Sequence, residues 1–345
     1  MLYSRIYVRS LRSVPRSIIC ARRYASITPK GPGAIAAEQA NATAARDSRI
    51  KATKLANEGG LKGAKKDSAT NKLEQTLARF WEKVTCEEAA DGFKIQLDGK
   101  TIKTPLGLEL LIPKEKQSLA FLITNEWKSL PNLQVKPYLL PLTSLASRAI
   151  DLAKAADDLE AQAQIGSIDG IKDLLMKYLD TDTLLVFAPR KDCDGELRKE
   201  QEKLYFPMKK SMEEYFSKFS EDGKPIVLQH LDTETSGIIG NKQSERTKEV
   251  VRRFLDSLDS WQLVALERAT LTCKSLLCGV AIVRMNNEDD KFAYTLEDLA
   301  RAATLETILQ TARWGEVEDT HDVEKVDVRR HLASASILCY NKPAE

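Results

Sequence analysis

Histidine is nearly absent from this 345-residue sequence, with three residues in all, and its six cysteines are scattered. So small a stock of ligands leaves little for a metal centre or a disulfide framework. Long apolar runs are missing too. The longest stretch without a charged or polar side chain, Leu276 to Val283, falls far short of the roughly 18 apolar residues a membrane span needs, so a soluble protein without membrane insertion is expected. Glycine and proline, at 16 and 12, are too few for collagen-like or low-complexity architectures. HExxH, GxSxG and P-loop motifs are all lacking, so no common catalytic constellation is legible.

Two local absences are informative. No acidic residue precedes Glu38, whereas residues 1–24 hold Arg5, Arg9, Arg12, Arg16, Arg22 and Arg23 among serines. That composition belongs to a mitochondrial transit peptide, and Arg22-Arg23-Tyr24 resembles a matrix processing site. The net charge of +2 therefore misleads: losing six of 52 basic residues and no acid leaves 46 against 50, near −4. A nucleic-acid partner would call for a basic domain, and none is expected. The matrix is reducing, so the cysteines are expected to be free thiols. Between Ala25 and Arg79 there is no aromatic residue, and residues 25–77 read as a disordered linker.

What is present, 43% hydrophobic and 30% charged residues, suffices for one large domain or two ordinary ones. Phe93, Ile95 and Leu97 alternate with polar residues, Asp98-Gly99 supplies a type I′ turn, and Thr101–Thr104 returns. A short strand over Leu108–Ile112 precedes Pro113 and a helix whose apolar face holds Leu119, Leu122, Ile123, Trp127 and Leu130. Helices follow over Pro141–Glu160 and Ser167–Tyr178, then a strand at Thr183–Phe187. A helix over Gly195–Ser220 should be interrupted near Pro207, and Pro225–His230 reads as a last strand. Beyond it the pattern is helical: Ser244–Leu258, Ser260–Met285 with Ser260 as cap, Thr295–Trp314 opened by a Thr295/Asp298 capping box, and Asp322–Tyr340. Strands first and helices last predict an α+β fold, with a hairpin-rich α+β domain over 78–240 and an all-helical orthogonal bundle over 241–345.

Candidate chemistry is thin. Gly237-Ile238-Ile239-Gly240 reads as a turn rather than a phosphate loop. Cys273 and Cys278, on one continuous helix, would lie about 140° apart and share no metal. The acids around His321 suit a helix N-terminus. Trp81 and Trp127 read as packing aromatics. Pattern alone favours a binding protein, with a matrix enzyme of unusual site and a structural subunit of a respiratory complex as alternatives.

Phe80-Trp81-Glu82-Lys83-Val84, Gly92-Phe93-Lys94-Ile95-Gln96-Leu97-Asp98-Gly99-Lys100, Lys103-Thr104-Pro105, Glu126-Trp127 and Pro141-Leu142-Thr143-Ser144-Leu145-Ala146 occur in that order. Tyr178-Leu179-Asp180-Thr181-Asp182-Thr183-Leu184-Leu185, Leu305-Glu306, Gln310 and Trp314-Gly315 complete the series, which resembles the Atp-twelve family over about residues 78–340. These are mitochondrial chaperones that assemble the catalytic head of ATP synthase. The resemblance implies a monomer that holds the unassembled α subunit until the β subunit replaces it, with no cofactor and no reaction. It also implies Glu306 and Gln310 as client-binding residues, whereas Trp81 and Trp127 by their packing, Asp98 and Gly99 by their turn, and Trp314 are expected to be structural. On helical spacing Glu306 has no cation three or four residues away, and a salt bridge to Arg284 from another helix is the competing reading.

N-terminal sequencing of the protein recovered from mitochondria should find a mature chain that starts about two dozen residues in; an intact Met1 would contradict import with cleavage.

Overall fold

Two hairpins build a four-stranded sheet around one central strand in the computed structural model, which describes residues 79–130, 137–237 and 240–341. The expected targeting segment and the linker over 25–77 lie outside the described residues, as do residues 238 and 239 of the expected Gly237–Gly240 turn. Val84–Ala89 (β1), a strand not expected from the sequence, pairs antiparallel with Gly92–Leu97 (β2), from Val84↔Leu97 to Ala89↔Gly92. β2 turns through Asp98 and Gly99, both at positive φ (48° and 79°) as a type I′ turn requires, into Lys100–Thr101 (β3). Leu111–Ile112 (β4) joins the same edge of β2, with Phe93 opposite Ile112. Only glycine fits at position 92, where φ is 153° and a Cβ would sit 2.2 Å from the Ile112 carbonyl oxygen.

The buried residues of β2, Phe93, Ile95 and Leu97, face Leu119, Ala120 and Ile123 of Gln117–Ser129 (α1). Leu122 is exposed rather than buried, because the buried arc of α1 is centred on Ala120, Ile123 and Thr124. Pro141–Ala155 (α2) ends sooner than expected, because Asp158 accepts the N–H groups of Glu160 and Ala161 and starts a separate helix, Leu159–Ile165 (α3). Ser167 caps Ile168–Asp180 (α4).

The strand expected at Thr183–Phe187 is a 3-10 turn over Thr183–Leu185 followed by only Val186–Phe187 (β5). Glu196–Ser217 (α5) runs through Pro207 without interruption. Pro207 and Lys203, whose carbonyl loses its partner, are both exposed, so water can satisfy that group. Pro225–His230 is not a strand: its backbone donors are taken by side chains, Ile226 N–H by Ser217 Oγ, Leu228 N–H by Glu213 Oε1 and Gln229 N–H by Gln243 Oε1. The chain pairs only at Leu231–Asp232 (β6), parallel to β5.

Glu245–Asp256 (α6) is capped by Ser244. The single helix expected over Ser260–Met285 is two, Ser260–Cys273 (α7) and Leu276–Met285 (α8), with Lys274 between them in the left-handed region (φ 55°). Asp259, not Ser260, caps α7, in a capping box with Gln262. Thr295 and Asp298 form the expected capping box, but their helix stops at Thr304, giving Leu296–Ala303 (α9) and Leu305–Trp314 (α10). His321–Cys339 (α11) closes the fold.

The core is continuous across residue 240, and α8 lies at its centre, buried from Leu276 to Arg284. That is where an apolar run with no polar face belongs. Gly279 lets α7 approach: a Cβ there would meet Thr270 Oγ1 at 2.3 Å and the Leu266 carbonyl oxygen at 2.7 Å. Arg148 on α2 holds Glu267 on α7 by two bonds of 2.7 and 2.8 Å. Buried Lys116 donates to the Leu338 carbonyl at 2.8 Å and to Asn341 Oδ1 at 2.7 Å, tying the segment before α1 to the end of α11. Burial lowers its pKa.

Asp182 explains the break between α7 and α8. It is fully buried, and its two oxygens accept Leu184 N–H and Leu277 N–H, each at 2.9 Å. Thr183 adds a bond from Oγ1 to the Cys273 carbonyl at 3.1 Å. Burial pushes the Asp182 carboxyl from 3.8 up to about 6. The folded state thus keeps a proton that the unfolded chain releases, so this group favours folding most below the unfolded value and least above about pH 6. Relative to Asp182→Asn, which does not titrate here, the stability of the unaltered protein should fall by about 2 kcal/mol between about pH 4 and 7. Denaturant melts showing a constant difference across that range would contradict the assignment.

Candidate functional site

Leu305 anchors α10 in the core, which leaves Glu306 exposed in the first helical turn, where a carboxylate suits the positive end of the helix. Gln310, one turn on, donates from Nε2 to Glu306 Oε1 at 2.8 Å. The two residues implied as client-binding are therefore one hydrogen-bonded pair, and Trp314 continues the same stripe at the next interval of four. No salt bridge to Glu306 occurs among the described residues. Arg284 is committed elsewhere: it is buried, pairs with Asp290 at 2.8 and 3.1 Å, donates to the Ser211 carbonyl, and lies between the rings of Tyr215 and Phe292. Leu299 and Ala303, which a continuous helix over Thr295–Trp314 would place on the Glu306 side, belong to α9 across the Thr304 break.

Beneath this stripe, Tyr205 of α5 donates its hydroxyl to the Ala302 carbonyl at 2.8 Å. Burial raises its pKa, with the nearby Cys278 and Glu306 charges adding to the effect. At the far end of α10, Arg313 pairs with Asp194 in the turn before α5. Cys193 and Asp194 there both occupy the left-handed region (φ 50° and 55°), a costly geometry for residues other than glycine. The surface is thus a carboxylate oriented by an amide, open to solvent and mounted on a helix fixed at both ends. Such a surface can accept hydrogen bonds or a cation from a partner. It has no paired nucleophile and base.

The other residues singled out by sequence are elsewhere. Asp98 accepts Lys83 N–H at 2.8 Å and Glu82 N–H at 3.2 Å, pinning the start of β1 to the turn that Gly99 completes. Trp81 is buried at 3% exposure, and Trp127 is half-buried against it with ring centroids 5.1 Å apart. Trp127 Nε1 donates to Thr143 Oγ1 at 3.0 Å, and that hydroxyl donates to Glu126 Oε2 at 2.8 Å. Glu126 also accepts Leu142 N–H and Thr143 N–H at 2.7 and 2.9 Å, so it caps α2 from α1, a role that spacing alone does not reveal. Burial raises its pKa. Trp314, expected to be structural, is 68% exposed. The helix break changes the geometry of Cys273 and Cys278: they lie on different helices, and the neighbouring Cys273 thiol together with burial holds Cys278 well above its ordinary value. Among the described residues no group of three or more His, Cys, Asp or Glu could hold a metal.

A family model described as ATP12 chaperone protein matches residues 78–213. The chain is 44% identical over 283 residues to Protein ATP12, mitochondrial, of Saccharomyces cerevisiae, covering 79% of this chain and 87% of the relative. It is 35% identical over 264 residues to Protein atp12, mitochondrial, of Schizosaccharomyces pombe, covering 76% and 82%. In fold it is similar to the crystal structure of Atp12 from Paracoccus denitrificans, with TM-score 0.55 at 22% identity, covering 76% of this chain and 97% of that one. It is similar also to the Atu1473 protein of Agrobacterium tumefaciens, with TM-score 0.57 at 22% identity, covering 76% and 85%.

The segment matched by the family model includes Trp81, Glu126 and Trp127. Trp127→Arg would remove the ring packed on Trp81, cut the bond to Thr143 and bring a charge near Arg79. It should cost about 3 kcal/mol or more of stability. An arginine variant that melts like the unaltered protein would show that the aromatic pair is not structural.

Proposed function

The chain belongs to the ATP12 chaperone family, and from that premise we propose that it is an assembly chaperone of mitochondrial ATP synthase that binds the unassembled α subunit in the matrix. It acts as a monomer, without a cofactor, and releases the α subunit to the β subunit. The observation that carries the contact is the exposed Glu306 carboxylate, held at one oxygen by Gln310 and paired with no cation among the described residues. A carboxylate paired with an internal cation would serve the fold. This one is turned outward on a helix whose other contacts are already made.

The physical task fits such a surface. An isolated subunit of an obligate assembly exposes an apolar interface, and exposed patches of that kind aggregate unless covered. A holdase must bind more weakly than the final partner, or exchange stalls. Polar contacts with a cation or an N–H donor give register and selectivity while adding modest affinity.

Glu306→Lys should abolish suppression of α-subunit aggregation, and Glu306→Gln should weaken it less, because shape and one acceptor remain. Stability should barely move: an exposed first-turn charge reversal costs about 1 kcal/mol or less. Light scattering of refolding α subunit beside melting curves reads both. A lysine variant that is unfolded, or that holds the α subunit as well as the unaltered chain, would overturn the contact.

A further inference from the structure

The turn after α10 and the start of α11 stand clear of the other described residues, while the last turn of α10 is tied back through the Arg313–Asp194 ion pair. Every residue from Ala312 to Thr320 and from Asp322 to Val326 is exposed, with His321 half-buried between them. Five successive helical residues pass all the way round the axis, so the start of α11 presents no packed face. α11 first enters the core at Val328, and Arg329 gives it a lateral tie through an ion pair with Glu297. The projection is nevertheless built. Val317 N–H donates to His321 Nδ1 at 3.0 Å, His321 N–H to the Val317 carbonyl at 3.1 Å, and Glu324 N–H to the Thr320 carbonyl at 3.0 Å.

Apolar side chains on such an element gain nothing in folding. Yet Trp314, Val317, Val323 and Val326 are 68, 57, 49 and 65% exposed. A group of exposed hydrophobics on one projecting element marks an interaction surface.

Charge selects what covers it. From Ala312 to Val326 the chain carries Glu316, Glu318, Asp319, Asp322 and Glu324 against Arg313 and Lys325, and Arg313 is already paired with Asp194. Nucleic acid and anionic lipid would be repelled, and a second copy would bring like charges together. A protein surface with an apolar groove rimmed by lysine or arginine fits. The projection also continues the stripe of Glu306, Gln310 and Trp314.

We propose that Trp314–Val326 is a docking peg whose valines and tryptophan enter a basic-rimmed apolar groove of the α subunit, a second anchor beside Glu306. The proposal rests on the α-subunit reading above and adds the region and chemistry of the contact.

The test uses the full chain and purified α subunit. One variant carries Val317→Ser, Val323→Ser and Val326→Ser; a second carries Glu316→Lys and Glu318→Lys. All of these residues are exposed, so both variants should melt close to the unaltered protein. The serine variant should bind the α subunit about tenfold or more weakly. The lysine variant should bind more weakly at low salt, with the difference closing as salt is added. If the unaltered chain binds the α subunit and both variants bind equally well, the peg is wrong while the client assignment stands. If the unaltered chain does not bind the α subunit at all, the client assignment falls and the peg with it. Self-association of the unaltered chain in sedimentation, lost in the serine variant, would make a second copy the occupant and also overturn the proposal.

Discussion

A single buried carboxylate sets the course of the chain through its core. Among the described residues Asp182 has no salt-bridge partner; the backbone N–H groups of Leu184 and Leu277 hold its two oxygens. Because those donors belong to segments nearly a hundred residues apart, the carboxylate fixes the 3-10 turn after α4 against the first turn of α8. The cost is visible in its raised pKa of about 6. In return, a helix that local preference would continue from Ser260 to Met285 stops at Cys273. It restarts in a new direction after Lys274. The close approach of α7 and α8 at Gly279, and the burial of α8 on every side, both follow from that break.

Other constraints attach to this frame. Arg284, near the end of α8, meets Asp290 and Ser211, and Lys116 fastens the sheet side of the molecule to the last carbonyls of α11. Arg284 and Lys116 are thereby committed to internal partners. Polar groups offered for binding are left at the rim, on α10 and beyond. A holdase needs that division: a stiff scaffold that does not rearrange around its client, and a surface of limited area whose contacts can be displaced by a tighter partner.

Local chemistry was legible in the sequence, and decisions made at a distance were not. The Asp98-Gly99 turn, the helix starts at Ser167 and Ser244 and the Thr295/Asp298 box could be read because each depends on residues within a few positions. β1 escaped because Val84–Ala89 carries two glutamates and its pairing depends on β2. The breaks at Lys274 and Thr304, the extended Pro225–His230 segment and the tolerance of Pro207 are set by tertiary partners or solvent, which no window of sequence contains. Glu306 and Gln310 came from family resemblance, and the structure adds that they are bonded to each other. The projection over 312–326 reads in sequence like any acidic helix start. Only the fold reveals that its valines are left exposed.

The proposed client surface is C-terminal and helical rather than on the sheet. Amide hydrogen exchange of the full chain, alone and with purified α subunit, tests this directly. New protection should concentrate in residues 305–326, with β1, β2 and α1 unchanged. Protection confined to the sheet and α1, with 305–326 exchanging as in the free protein, would contradict it.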